Sequence, residues 1–378
     1  MAKSGFFGGF RTRARSTALL GPALFMSASL VLAATATGCG GPAKQSASPS
    51  EVSSQPTSTS EPDLVGLVVG TIGRDHLLKD GYPLTKIADI IDVFKPDMIL
   101  IQVRADAYKQ QHLEDASFEM TYVNAVAGTA GVDVQPIDWF KDEDSFPPGV
   151  MDDGGPTPAP KKPKKGAKPD PTPTASDASA PTKNALPDPF NYMPPIVVDP
   201  DNADAYKTES AFLNTLGPLS FADANSADVT EKIWDSESAQ IRYTKGYSSL
   251  ARRIAWMEYN STQAFTKQKG QVHRLMVVVN VRYRAAMEQL VSGYGAVLKD
   301  PAAVAKSAEQ SHDSIPDDVV VQWRREVDNL KDKIPKHGPD TLRTNILQKI
   351  AILEAAISKK GTCCVDVAAL APKASDAN

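Results

Sequence analysis

Three short, nearly unbroken apolar runs constrain this chain more than any other feature: LVGLVV at residues 64–69, MILIQV at 98–103 and LMVVV at 275–279. Runs of five or six residues are short for a buried helix. They also lack the polar alternation of a strand with one wet face, so each reads as a strand covered on both faces. The intervening sequence supplies the covers. Pro83 opens a helical stretch that places Ile87, Ile90, Ile91 and Phe94 on one face, and Lys95-Pro96-Asp97 ends it. A second helix over about 119–130 stops at Gly131 and leads into another strand at 132–137. Alternating β and α elements of this length imply a parallel sheet with right-handed crossovers.

Farther along, Leu250, Ile254 and Met257 repeat at helical spacing before the 275–279 strand, and residues 283–292 read as a helix ending at Gly293. The remainder reads as helical, with Leu342, Ile346, Ile350, Leu353 and Ile357 in a stripe that suits core packing. The expected fold class is α/β: a mostly parallel central sheet flanked by helices, with a long disordered insertion and a helical C-terminal part.

Large parts of the 378 residues lack the composition to fold. Residues 1–38 carry a basic start (Lys3, Arg11, Arg13, Arg15) and an apolar run from 17 to 34, as an export signal does. Ala36-Thr37-Gly38-Cys39 follows, and it resembles a bacterial lipobox, which implies lipid on Cys39. The mature protein is then expected to be exported and anchored to a bacterial membrane, at the outer membrane or cell surface ahead of the inner membrane. Residues 39–62, rich in Ser, Pro and Thr, form a tether. A second low-complexity stretch at about 146–187 contains PTPAPKKPKKGAKPDPTPTASDASAPT, where proline excludes helices and sheet ladders. Its lysines, Lys161, Lys162, Lys164, Lys165 and Lys168, offer a contact for an anionic surface polymer, or are simply solvated. What remains is one domain, 63–372, interrupted by the insertion and followed by a tail at 373–378.

Charge narrows the function classes. Taking the four basic residues of the leader from the 41 in the chain leaves 37 against 45 acidic residues, a formal charge of −8. Such a chain has no general affinity for nucleic acid. Apart from Cys39 the thiols are Cys363 and Cys364, neighbours that cannot staple distant segments, and no CxxC is present. G-x-S-x-G, H-E-x-x-H, the P-loop and G-x-G-x-x-G are all missing. His112, His273, His312 and His337 form no recognisable ligand pattern.

In an open parallel sheet ligands gather at the carboxyl ends of strands, here residues 70–76, 102–106, 138–140 and 280–284. Around these ends GTIGRDHLLKDGYPLTKIADIIDVFKPDMILIQVRADAY, FEMTYVNAVAGTAGVDVQPIDW and VVVNVRYRAAMEQLVSGYG, with the helix near Arg253, together resemble the TraB/GumN/Tiki-like family of the erythromycin-esterase-like and ChaN-like α/β proteins. The resemblance implies a G-x-x-H after the first strand, a glutamate in a V-E-V-R-like string after the second, and a second G-x-x-H after a later one. In Tiki-like members these residues are proposed to hold a divalent metal for hydrolysis, a donor set suited to that chemistry.

This chain departs from the pattern at each position. Directly after the first strand stands Gly70-Thr71-Ile72-Gly73, with glycine at the histidine position. The second strand ends Ile101-Gln102-Val103-Arg104, an amide in place of the carboxylate, and the later motif reads Asn280-Val281-Arg282-Tyr283. Gly73-Arg74-Asp75-His76 does spell G-x-x-H, but about a turn beyond the strand end. Glycine offers no ligand, glutamine is neutral, and tyrosine is mostly protonated at neutral pH. Arg74, Asp75, His76, Arg104, Glu119, Asp138, Trp139 and Arg253 match the family.

These residues give three expectations. The first is a degenerate metal-hydrolase fold that binds a ligand or protein in the strand-end crevice, with a polar lining of Arg74, His76, Gln102, Arg104 and Tyr283, with Gly70, Asp75, Glu119, Asp138, Arg253 and Asn280 as further crevice residues, and no cofactor. The second keeps hydrolysis, with Zn, Mn or Co moved to Asp75, His76, Glu119 and Asp138, which must then converge. The third is a structural envelope tether working through the Lys/Pro insertion.

Overall fold

The computed structural model describes residues 63–78, 80–138, 147, 198, 200–217, 219–243, 249–309, 311–335, 340–359 and 365. The leader, Cys39, the tether, nearly all of the Pro/Lys insertion, Trp139, Cys363, Cys364 and the tail at 373–378 lie outside these residues.

Five strands are described: β1 (Val65–Thr71), β2 (Met98–Arg104), β3 (Asp133–Asp138), β4 (Arg274–Asn280) and β5 (Val297–Lys299). The helices, in chain order, are α1 (Asp75–Leu78), α2 (Thr85–Phe94), α3 (Ala105–Gln110), α4 (Phe118–Thr129), α5 (Ala203–Glu209), α6 (Ala211–Thr215) and α7 (Phe221–Ala224). They continue as α8 (Ala227–Tyr243), α9 (Ser249–Lys267), α10 (Arg284–Gly293), α11 (Pro301–Lys306), α12 (Asp317–Asp332) and α13 (Asp340–Lys359). Short 3-10 turns occur at Leu113–Asp115 and Val281–Tyr283.

All strand pairs are parallel, in the order β3-β2-β4-β1-β5. The apolar runs are buried on both faces, as their lack of alternation requires. Leu67, Val69, Ile99, Ile101, Val103, Met276 and Val278 point to one face, packed under α2, α4, α12 and α13. Val68, Met98, Leu100, Leu275, Val277 and Val279 point to the other, under α9 and α10. The α2 face read from the sequence is in place, with Ile87, Ile90, Ile91 and Phe94 buried. The C-terminal stripe is core as well: Ile346, Ile350 and Leu353 are buried and Leu342 and Ile357 partly so. Burying an aliphatic side chain of this size contributes about 1.5–3 kcal/mol, so this stripe accounts for much of what seats α13.

One element departs from the sequence reading, which makes everything after Gly293 helical. Gly295, at φ +87°, turns the chain back after α10, and Val297 N donates to Leu64 O at 3.0 Å to start β5 beside β1. Three residues are too few to carry a periodicity, so nothing in VLK announces the strand.

Candidate functional site at the carboxyl edge of the sheet

The topology picks out one gap. The chain leaving β2 covers the first face with α4 and proceeds outward to β3. The chain leaving β4 covers the opposite face with α10 and proceeds past β1 to β5. Adjacent strands whose connections part in this way form the switch point where ligands enter open α/β sheets. Here the gap is laced by a side chain. Regular pairing between β2 and β4 ends at Ile101 and Val278, and beyond it Asn280 N donates to Gln102 Oε1 at 2.7 Å. Gln102 is buried, and its amide oxygen serves as the next rung of the ladder. Asn280 in turn accepts from Arg282 N at 3.1 Å through its side chain, capping the 3-10 turn.

The outer edge of β1 is finished by side chains as well. β5 covers β1 only from Val65 to Leu67, which leaves Val68 O, both polar groups of Gly70 and Ile72 N to be satisfied in the interior. Arg284 Nε donates to Val68 O at 3.3 Å. Gly70 N donates to Asn225 Oδ1 at 2.9 Å, while Tyr82 Oη donates to Gly70 O at 3.0 Å. Ile72 N donates to His76 Nε2 at 3.1 Å, and the other ring nitrogen, Nδ1, lies 2.8 Å from Tyr82 O. A ring that accepts at Nε2 must carry its proton at Nδ1, so His76 is the neutral Nδ1–H tautomer. It is fully buried and packs edge-on against Tyr82 at 4.3 Å. Burial holds its pKa below the ordinary 6.5, outweighing the opposing pull of Glu119, the Tyr82 backbone and Asp75.

The glycines around this edge are there for room and for angle. A Cβ on Gly70 would stand 2.8 Å from Ala224 O, so only glycine lets α7 approach β1. Gly73 has φ +59°, the left-handed conformation that turns the chain into α1. Beyond it Arg74 is exposed, Asp75 half-buried and His76 buried. Thr71, the last residue of β1, donates to Glu119 Oε1 at 2.7 Å; Glu119 Oε2 is buried without a hydrogen-bond partner among the described residues.

On the opposite face the edge is a row of paired charges. Arg253 of α9 grips Asp138 at the end of β3 with two bonds of 2.8 and 2.6 Å, both side chains being buried. The same guanidinium lies 5.1 Å from the ring centroid of Tyr283, which is itself buried, with its hydroxyl pKa pushed up by that burial. Arg282 pairs with buried Glu237 of α8. Arg104 pairs with Asp106, with Nε to Oδ1 at 3.0 Å. Partial burial works against the Asp106 carboxylate, but the bonds and charge of Arg104 hold its pKa below the ordinary value. The groups that reach solvent are Arg104, Asp106, Asn280 and Arg282.

Comparisons with protein-family models, curated proteins and solved structures find no match to this chain.

The residues at the expected ligand positions do not fit a divalent ion. Gly73 has no donor, the Gln102 oxygen already accepts from Asn280 N, and the Tyr283 hydroxyl is buried beside a guanidinium with its proton held on. His76 has both nitrogens engaged. Nor do Asp75, His76, Glu119 and Asp138 assemble into a ligand set. Glu119 serves the first face and Asp138 is held on the other by Arg253, and among the described residues no three His, Cys, Asp or Glu side chains are placed to hold a metal. The crevice lining read from the sequence is also revised: His76 and Tyr283 face the interior because both are used in packing, Arg74 is exposed, and the rim is formed by the half-buried Arg104, Asp106, Asn280 and Arg282. Sequence reasoning missed Thr71, Tyr82, Asn225, Glu237 and Arg284. Asn225 carries no local signal, since its partner Gly70 lies 155 residues away. Tyr82 could have been found as the one aromatic residue between the G-x-x-H string and Pro83.

Proposed function

We propose that this chain is a lipid-anchored envelope protein of TraB/Tiki-like fold that has lost a metal-hydrolase centre and acts by binding. The observation that carries the proposal is the bond from Asn280 N to Gln102 Oε1 across the switch point. At the position where the resemblance calls for a metal-binding carboxylate, the side chain is spent joining two strands. The rim beside it presents guanidinium groups already matched by carboxylates, Arg104 with Asp106 and Arg282 with Glu237. An edge of alternating, balanced charge favours a polar ligand of no large net charge, such as an extended peptide segment. Anchoring rests on the lipobox-like Ala36-Thr37-Gly38-Cys39.

The test uses the full-length chain. Titration with zinc, manganese and cobalt chlorides is expected to show no stoichiometric uptake by calorimetry or elemental analysis. Stoichiometric uptake abolished by His76→Ala would overturn the reading in favour of a hydrolase. Screening against a peptide array, wild type beside the double variant Arg104→Ala/Arg282→Ala, is expected to give signals that the double variant loses. Mass spectrometry of the N-terminal peptide is expected to find Cys39 diacylated or triacylated, and Cys39→Ser to release the protein from membranes.

A further inference from the structure

A second cluster of buried charge lies away from the sheet edge, where α4, α12, α13 and the 3-10 turn Leu113–Asp115 meet. Glu326 of α12 is 1% exposed. Its Oε1 accepts from Thr121 Oγ1 of α4 at 2.5 Å, and its Oε2 is buried with no hydrogen-bond partner among the described residues. Lys349 of α13 is fully buried, and its Nζ donates to the carbonyl oxygens of Glu114 and Ala116, each at 2.7 Å, with the Phe118 ring 5.1 Å away. Lys349 therefore ties α13 to the turn through backbone acceptors and forms no ion pair with Glu326.

The other charges around Glu326 are arranged against its ionisation. Glu114 and Asp115 face it from the turn and disfavour its charge, while Lys349 faces it from α13 and favours it; Glu119 of α4 faces Lys349. Lys333, following α12, is taken up by Glu114 and Asp115, at 2.9 Å each. Glu114 is further held by His112 Nδ1 at 2.9 Å and Asn329 Nδ2 at 3.1 Å. Glu114 thus has its charge answered by donors, whereas Glu326 has one hydroxyl.

We propose that Glu326 is a proton-responsive contact that seats α12 and α13 on α4, tight when its carboxyl is neutral and loosened when it ionises. A neutral acid with one bonded oxygen is tolerable in such a site, whereas a carboxylate there lacks the donors its charge demands. Burial is the main cause that pushes its pKa from 4.5 up to about 7, outweighing Lys349 and Thr121. The raised folded pKa makes the stabilisation complete below 4.5 and loses it progressively as pH rises to about 7. The contact reaches the sheet edge through α4, because Thr121 bonds Glu326 and Glu119, two residues earlier, bonds Thr71 at the end of β1.

The experiment is carried out on the full-length chain. Carbon-13 carboxyl shifts report the titration of Glu326, assigned by its loss in Glu326→Gln, and hydrogen exchange at pH 5 and pH 8 reports protection of residues 317–359 after correction for intrinsic rates. A midpoint near neutrality is expected, with protection of α12 and α13 lower by about tenfold or more at pH 8 in the wild type and unchanged with pH in Glu326→Gln. Thr121→Val, which keeps the carboxyl and removes its hydrogen bond, is expected to raise the midpoint further, and it serves as the second variant should Glu326→Gln fail to fold. A midpoint below pH 5, or equal pH dependence of protection in wild type and Glu326→Gln, overturns the proposal.

Discussion

Asn225 and Gly70 exchange hydrogen bonds much as two paired strands do: Gly70 N donates to Asn225 Oδ1 at 2.9 Å, and Asn225 Nδ2 approaches Gly70 O at 3.4 Å. A primary amide carries the same donor and acceptor as a peptide unit, so one side chain stands in for a residue of a missing strand. Arg284 below it and His76 above it continue the same edge. This accounts for His76 in a string that reads as a ligand motif: the ring closes a backbone position.

Replacing Asn225 by alanine strands a buried N–H, and the expected cost is about 1–3 kcal/mol, read as a lower urea midpoint with unchanged slope. Gly70→Ala, which brings a methyl to within 2.8 Å of Ala224 O, is expected to cost a similar amount by pushing α7 away.

His76 gives a pH signature. Its folded pKa lies below 6.5, so the stability it contributes is complete above 6.5 and is lost as pH falls through the folded value. His76→Ala is expected to lower stability by about 2–4 kcal/mol at pH 7 and to flatten the dependence below pH 6 relative to wild type. Equal acid slopes in the two proteins would assign the proton to another group.

Gln102→Leu removes the rung between β2 and β4 and is expected to destabilise by about 1–3 kcal/mol. Gln102→Glu keeps an acceptor for Asn280 N and is expected to be milder, without conferring zinc affinity in calorimetry, because Gly73 and Tyr283 still supply no ligand.

Asp138 and Arg253 form a buried pair, and loss of either partner alone leaves a buried charge. Asp138→Asn and Arg253→Met are each expected to cost about 3–5 kcal/mol, and the double variant less than their sum. Strict additivity in a double-mutant cycle would mean that the two side chains act separately.

The parts of this fold that were legible in the sequence are those with dense local signal. LVGLVV, MILIQV and LMVVV read as strands buried on both faces, the Ile87 to Phe94 spacing fixed a helix face, and the stripe on α13 announced its packing. The candidate site was legible in its positions and not in its roles. Gln102, Asn280 and Asp138 were picked out by their places at strand ends and Arg253 by the family resemblance, yet what each one bonds depends on neighbours brought from 115 to 178 residues away. Burial was hardest to foresee. His76 and Tyr283 carry polar atoms that suggest a pocket wall, and only the three-dimensional packing shows those atoms turned inward. Lys349, in the midst of an apolar stripe, gave no sign that it would be buried whole.

The short β5 and the side chains that finish β1 have a consequence for how copies of this protein tolerate crowding. An exposed run of unpaired strand backbone is a template on which another chain can add, the more readily the higher the local concentration. On this side of the sheet the template is only three residues long and carries Lys299, while farther along β1 every position is occupied by arginine, asparagine, tyrosine or histidine from the same chain. Neighbouring copies therefore find only the three residues of β5 to extend on that side, too short a template to favour addition through that edge.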